Sequence, residues 1–235
     1  AGMSFGALYK GPFGINPYIS YAESFEPVVG LDNVTGNPLK PSEGEQVEVG
    51  IKFQPSGSST YITAAYFDIE QSNLRNSSAL PSEPSQFEGV AKLKGFELEA
   101  QTRLGDVTID GSLTHLDTED PNGVTFPSIP DTRATIWGLW APKGSGLDNF
   151  RFGSGIRYSA GNESHGTTAG GTDFTVSTDE FILVDALIGY SFNDIDLTLN
   201  ARNLFDEEYY GTCLARGDCF PGERRSVVAR AAYKF

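Results

Sequence analysis

The chain has 235 residues, 39% of them hydrophobic, with 16 Phe, 10 Tyr, 27 Gly, a single Met and a formal net charge of −14. That charge argues against a nucleic-acid partner, which needs clustered Lys and Arg. No apolar run approaches the roughly 20 residues of a transmembrane helix, and the mix of aromatics and glycine favours strands and turns.

Period-two alternation starts at once. Strands are predicted near 1–10 and 15–25, joined by a short turn at 11–14. After a long polar segment, 26–43, Val47, Val49, Ile51 and Phe53 alternate with Glu48, Gly50 and Lys52 in a strand near 44–54. A turn at 55–59 leads to a strand near 60–72, and a second long segment covers 73–88. Phe96, Leu98, Ala100 and Leu104 alternate with Glu97, Glu99, Gln101 and Arg103 in the strand near 89–104, which turns at 105–106 into 106–117. Beyond the long segment 118–130 come strands near 131–141 and 150–161, with a turn at 143–149. Segment 162–179 is long and polar; strands near 180–192 and 195–206 follow, joined at Asn193–Asp194. Segment 207–222 is the last long one, and a strand near 223–235 closes the chain, with Val227, Ala229, Ala231, Tyr233 and Phe235 on one face.

The reading is all-β: about eleven long antiparallel strands, with short and long connections taking turns. A soluble sandwich with one wet face also alternates. Here, though, many strands run to about eleven to fourteen residues against a usual mode of about five or six. Tyr and Phe cluster toward strand ends, as the aromatic girdles of an outer-membrane barrel require; Tyr18, Phe150, Tyr190 and Phe192 are among them. Arg on a lipid face at mid-bilayer costs about 2–4 kcal/mol. Glu97, Glu99, Arg103, Asp110, Arg151, Arg157, Asp185, Arg202 and Arg230 are therefore expected to face inward, into a wide polar lumen. Single-chain barrels have even strand numbers, so eleven strands are expected to be part of a larger barrel. No basic n-region or cleavage site precedes the first strand, so an exported protein would have sequence upstream.

Three stretches carry a resemblance: NPYISYAESFE at Asn16–Glu26 with GNPLKPSEGEQVEVGIK at Gly36–Lys52; LNARNLFDEEYY at Leu199–Tyr210; and CLARGDCFPGERRSVVARAAYKF at Cys213–Phe235. They resemble TonB-dependent siderophore receptors of the outer membrane, and the Cys pair followed by Gly-Glu-Arg resembles the ferrichrome or hydroxamate type. The resemblance implies a 22-strand barrel with an amino-terminal plug, of which residues 1–235 would be the carboxyl-terminal part, without plug or TonB box. It implies a ferric siderophore as transported ligand and coupling to the TonB complex through the plug. It also implies contact with lipid, lipopolysaccharide and the outer-membrane assembly machinery. The same architecture could serve another metal chelate, cobalamin or a saccharide, and a passive porin-like barrel is the rival class. No covalent cofactor and no catalytic constellation is expected.

Within that frame, Val227, Ala229, Ala231, Tyr233 and terminal Phe235 resemble the signal read by the assembly machinery. Its physical sense is an alternating edge strand able to pair with another strand. Cys213 and Cys219 lack nearby ligands for a metal site and a nearby His for a catalytic thiol, so a disulfide in an oxidising compartment fits best. Closing so short a loop stabilises by about 2 kcal/mol in the chain-entropy model. Tyr209, Tyr210, Arg216 and Phe220 are the candidate ligand contacts, since aromatic walls with a few donors suit a compact chelate. Phe220 is the foremost of them. The alternative is that Tyr209 and Tyr210 are girdle residues. The acidic segments 117–120 and 172–180 lack the spacing of a Ca²⁺ loop.

Overall fold

The computed structural model describes residues 2–76 and 79–235. Ala1, the start of the first expected strand, and Ser77 and Ser78, within the expected long segment 73–88 and within a tripeptide, Asn76-Ser-Ser, that matches a glycosylation pattern, lie outside the described residues.

Fifteen strands are described: β1 Ser4–Leu8, β2 Ile15–Glu26, β3 Ser42–Phe53, β4 Tyr61–Ser72, β5 Val90–Leu104, β6 Val107–Glu119, β7 Thr132–Trp140, β8 Phe150–Ser159, β9 Glu163–Thr167, β10 Asp173–Ser177, β11 Phe181–Phe192, β12 Ile195–Arg202, β13 Tyr210–Cys213, β14 Cys219–Pro221 and β15 Ser226–Tyr233. Eleven of them form one sheet in the order β1-β2-β3-β4-β5-β6-β7-β8-β11-β12-β15, each hydrogen-bonded to its neighbour in the chain-order meander. All eleven correspond to expected strands. The expected ends differ where turn chemistry intervenes: the strand placed at 195–206 stops at Arg202, and the one placed at 223–235 runs only from Ser226 to Tyr233.

Two segments expected to be plain polar loops are themselves hairpins. β9 pairs with β10 from Glu163↔Ser177 to Thr167↔Asp173, and β13 pairs with β14 across Cys213↔Cys219. Their alternation spans only three to five residues, too little to stand out from polar loop sequence. The short turns follow the chemistry of tight hairpins: Gly105 at φ +60° and Asn193 at φ +50° supply the left-handed residue that a two-residue connection needs.

Contacts group the chain into two compact units. One comprises Ala1–Phe53, Thr63–Glu97 and His115–Phe126; the other comprises Gln54–Ile62, Leu98–Thr114 and Pro127–Phe235. In the first, Tyr18 faces Gly50 across the β2–β3 ladder. A β-carbon on Gly50 would lie 2.6 Å from the Tyr18 ring, whose hydroxyl donates to Glu48 at 2.5 Å. Lys52 Nζ sits 5.0 Å from the ring centroid. Tyr18 therefore belongs to the polar face and not to a girdle: glycine opposite it leaves room for the ring to lie down among charged neighbours. Two long connections are also tied together in this unit. Asp32 accepts from Val34 N, Thr35 N and Ser85 N, and these amide donors, led by Ser85, hold its carboxyl below the ordinary carboxylate range.

The second unit shows the sheet's two faces most plainly. In β12, Ile195, Leu197 and Leu199 are exposed, Leu199 at 47%, while Asp196, Thr198 and Asn200 between them are half-buried. The register puts Tyr190 and Ile188 of β11, Phe152 and Phe150 of β8, and Ala231 and Ala229 of β15 on the same side as those apolar residues. The buried apolar side chains are few: Leu39, Phe67, Ala91, Leu183 and Cys213 among the described residues. This inverts the pattern of a soluble sandwich, whose apolar face is the buried one. Near the short turns Trp140, Phe150, Phe152 and Tyr190 stack in a row on the apolar face, with centroids 4.7 to 5.7 Å apart. That is the position of an interfacial aromatic belt.

Candidate functional site

On the polar face of the second unit, charged side chains reach across strands to one another. Arg151 of β8 holds Asp196 of β12 through two bonds at 2.9 and 3.0 Å and donates to Ser191 Oγ at 2.8 Å. Arg157 donates to both oxygens of Asp185 at 2.7 and 3.0 Å. The Arg157–Asp185 contact is a bidentate fork and geometrically exacting, whereas Arg151 reaches both Asp196 oxygens through Nη2 alone. Together the two pairs turn a row of charges into a structured wall. Beside them is a recess of about 430 Å³ lined by Tyr61, Glu99, Gln101, Asp110, Thr135 and Trp137, where Gln101 donates to Asp110 at 2.7 Å. Trp137 lies over Gly153, whose β-carbon would fall 2.5 Å from the indole. The alternation predicted which acids face this side. It did not reveal that Trp137 lies flat among them, because the two glycines that admit it, Gly153 and Gly155, belong to the next strand.

The segment after β12 sets where the last hairpin begins. Asn203, at φ +49° and 2% exposed, breaks the strand. Its backbone N–H donates to Asp185 Oδ1 at 2.9 Å, its Nδ2 donates to the carbonyls of Glu207 and Glu223, and its Oδ1 accepts from Glu207 N at 2.8 Å. One amide thus joins the way into the hairpin to the way out. Asparagine tolerates the left-handed conformation and brings both a donor and an acceptor. Asp206, at φ +61°, receives Arg224 through two bonds at 3.0 and 2.8 Å and the Arg225 N–H at 2.9 Å. The Arg224 guanidinium, then the Arg225 amide, hold the Asp206 carboxyl far below the usual carboxylate range.

Beyond this clasp stands the β13–β14 hairpin. Cys213 and Cys219 are disulfide-bonded, with Sγ–Sγ 2.06 Å, and face each other in the ladder. Of the four candidate contacts, Tyr210 on β13 and Phe220 on β14 are both exposed, Phe220 at 48%. Tyr210 pairs with Pro221 and Thr212 with Phe220, so the two aromatics stand on adjacent rungs. Arg216 lies in the connecting turn, well exposed, and pairs with Asp218. Tyr209 is apart from these three. Its ring packs on Phe181 with centroids 4.1 Å apart and lies over Gly222, which has no space for a β-carbon. It holds the stem of the hairpin.

The flank of the hairpin rests on polar residues that sequence reading did not single out: buried Asn162 and Ser164 and half-buried Ser128 contact Gly211, Thr212 and Ala215. Asn162 was visible only as part of an Asn-Glu-Ser tripeptide, a pattern that says nothing about burial. On β15, Val227, Ala229, Ala231 and Tyr233 pair with Ala201, Leu199, Leu197 and Ile195, on the apolar face; Phe235 follows the strand, fully exposed. No cluster of His, Cys, Asp and Glu suited to a metal ion occurs among the described residues.

Residues 4–204 match the family model described as "TonB dependent receptor-like, beta-barrel". The chain is 31% identical to the ferrioxamine B receptor of Salmonella typhimurium over 97% of its length and 33% of that protein's. It is 32% identical to the ferrichrome outer membrane transporter/phage receptor of Escherichia coli over 98% of its length and 31% of that protein's. It thus spans about a third of the length of the curated relatives it matches. Among solved structures, the ferripyoverdine receptor of Pseudomonas aeruginosa bound to ferripyoverdine superposes with a TM-score of 0.86 at 23% identity, over 99% of this chain and 32% of that one. That likeness concerns the fold.

Proposed function

The chain belongs to the TonB-dependent receptor-like β-barrel family of the outer membrane, a family of transporters and not of enzymes, and from this premise we propose that it is the carboxyl-terminal barrel portion of a receptor that imports a ferric siderophore of the hydroxamate class. The observation that carries the reading is the pairing of an exposed apolar face with a polar face of bridged charges. The first suits lipid and the second suits a wet, wide lumen. The relatives named for ferrioxamine B and ferrichrome support the choice of ligand, as does the disulfide hairpin with Tyr210, Phe220 and Arg216 along it.

In this reading the full-length receptor holds a plug in its 22-strand barrel, and energy reaches it from the TonB complex through that plug. This part contributes wall, outer-surface contacts and the last strand, from which the assembly machinery reads Val227, Ala229, Ala231, Tyr233 and Phe235. The ligand is bound and passed on without a chemical step. Lipid and lipopolysaccharide surround the apolar face.

The test is equilibrium binding and uptake by the full-length receptor with ferric hydroxamates, ferric catecholates and cobalamin side by side. Saturable hydroxamate binding, weakened by Phe220→Ala, is expected. Tight binding of another nutrient with none of several hydroxamates would overturn the ligand assignment.

A further inference from the structure

The hairpin that carries the candidate contacts is not free-standing, and one buried amide gives two of the hydrogen bonds that dock it. Asn162, just before β9, is 5% exposed. Its backbone N–H donates to Thr178 Oγ1 at 3.0 Å and its carbonyl accepts from Thr178 N at 2.9 Å, which closes the base of the β9–β10 hairpin. The side chain serves the other hairpin: Nδ2 donates to the Gly211 carbonyl at 2.8 Å, and Oδ1 accepts from Thr212 Oγ1 at 3.0 Å. Thr212 Oγ1 also lies 2.7 Å from Ser128 Oγ, and Ser128 N donates to the Glu163 carbonyl at 2.9 Å.

A second attachment lies further along. Ala215 N donates to the buried Ser164 Oγ at 3.0 Å, and Gly166 packs so closely that a β-carbon there would come 2.7 Å from Ala215 Cβ. With the disulfide closing the tip and Tyr209 packed on Phe181 at the stem, β13–β14 is held at three places.

We propose that Asn162 is the positioning residue of the disulfide hairpin: it docks β13–β14 onto β9–β10, so that Tyr210, Arg216 and Phe220 meet a ligand as one preorganised edge. The chemistry calls for asparagine. A planar amide presents a donor to Gly211 O and an acceptor to Thr212 at once. Aspartate has nearly the same shape but offers acceptors only, and would set a carboxylate against the Gly211 carbonyl. Buried polar networks are costly when half-satisfied, and an edge ordered before binding spares the ligand the cost of ordering it. The ligand half of this inference rests on the receptor reading above; the docking half does not.

The test uses the full-length receptor in detergent, as wild type, Asn162→Ala and Asn162→Asp. Amide hydrogen exchange across 210–221 is measured without ligand, then equilibrium binding of a ferric hydroxamate. Exchange in that segment is expected to rise about tenfold in both variants, as for loss of one or two buried hydrogen bonds, with β11 and β12 unchanged. Affinity is expected to fall by a similar factor. A purely space-filling role would leave the near-isosteric Asn162→Asp unaffected. If Asn162→Asp does not assemble, Thr212→Val cuts the same link from the hairpin side.

Unchanged exchange across 210–221 overturns the proposal. So does faster exchange with unchanged affinity for a chelate that the wild type binds. A wild type that binds no ferric hydroxamate defeats the ligand reading alone, and exchange still decides whether Asn162 docks the hairpin.

Discussion

Gly189 of β11 sits against the Arg151 guanidinium of β8: a β-carbon built on Gly189 would lie 2.9 Å from both Nε and Nη2 of Arg151. The two residues are cross-strand partners. The missing side chain lets Arg151 pass over β11 and reach Asp196 on β12. A single glycine therefore allows one ion pair to staple three consecutive strands of the wall.

Gly189→Ala is expected to displace the guanidinium and break its contact with Asp196. Overpacking of this kind costs about 1–3 kcal/mol. Gly138→Ala, whose β-carbon would have nothing nearer than Ser154 O at 3.9 Å, should shift stability by less than about 0.5 kcal/mol. Heat-modifiable electrophoretic mobility of the full-length receptor measures both; equal midpoints for the two variants would contradict the role assigned to Gly189.

Asn203→Ala should destabilise the region after β12 by about 3 kcal/mol, since it strands two carbonyls and an amide N–H in a buried place. Asn203→Gly keeps the left-handed backbone open and removes the same bonds. Comparable losses for both would show that the amide matters more than the backbone conformation; a near-neutral Asn203→Gly would show the reverse. Urea or thermal midpoints in detergent distinguish them.

The clasp between Asp206 and Arg224 gives a pH dependence. The folded-state carboxyl titrates below its ordinary value of about 3.9. Its stabilisation is therefore present above that value and is lost as pH falls through the folded-state pKa. Hydrogen exchange across 203–225, corrected for intrinsic rates, should be the same at pH 7 and pH 5 and should quicken only in stronger acid. Asp206→Asn should give the loosened behaviour at every pH.

The two faces of β12 call for opposite responses to the same substitution. Leu199→Arg puts a cation on the apolar face and should cost about 2–4 kcal/mol of folding into a bilayer if it lies near mid-depth. Thr198→Arg, one residue away on the polar face near Arg230, should cost far less. Folding equilibria of the full-length receptor in lipid vesicles would reveal the difference; similar costs would mean that the faces have been assigned wrongly.

Deletion of Phe235 should lower the amount of receptor assembled in the outer membrane while leaving the folded barrel's melting unchanged, because the residue lies beyond β15 and is fully exposed. Unchanged assembly in several host strains would remove Phe235 from the assembly signal.

The alternation of apolar and polar residues by itself determined the eleven strands of the sheet, their approximate limits, and, in β3, β5, β8, β12 and β15, which residues share the apolar side. A period of two puts neighbours on opposite faces, as Leu197 and Asp196 illustrate; strand length and the charges of the polar face then separated a lipid-facing sheet from a soluble sandwich. Sequence spacing also marked Cys213 and Cys219 as a disulfide pair in the last long segment, with Phe220 beside it; that this segment is a hairpin came from the structure. Only the tertiary structure decided what depends on residues distant in the chain. Tyr18 lies on the polar face because Gly50 across the ladder gives it room. Tyr209 supports the hairpin stem because Phe181 and Gly222 enclose it, while Tyr210 beside it stays open. Asn162 and Asn203 act through a donor and an acceptor matched to partners up to 50 residues away. Periodicity records which way a side chain points; it holds no record of what stands opposite, and in this wall the opposite strand decides whether a residue is lining, prop or contact.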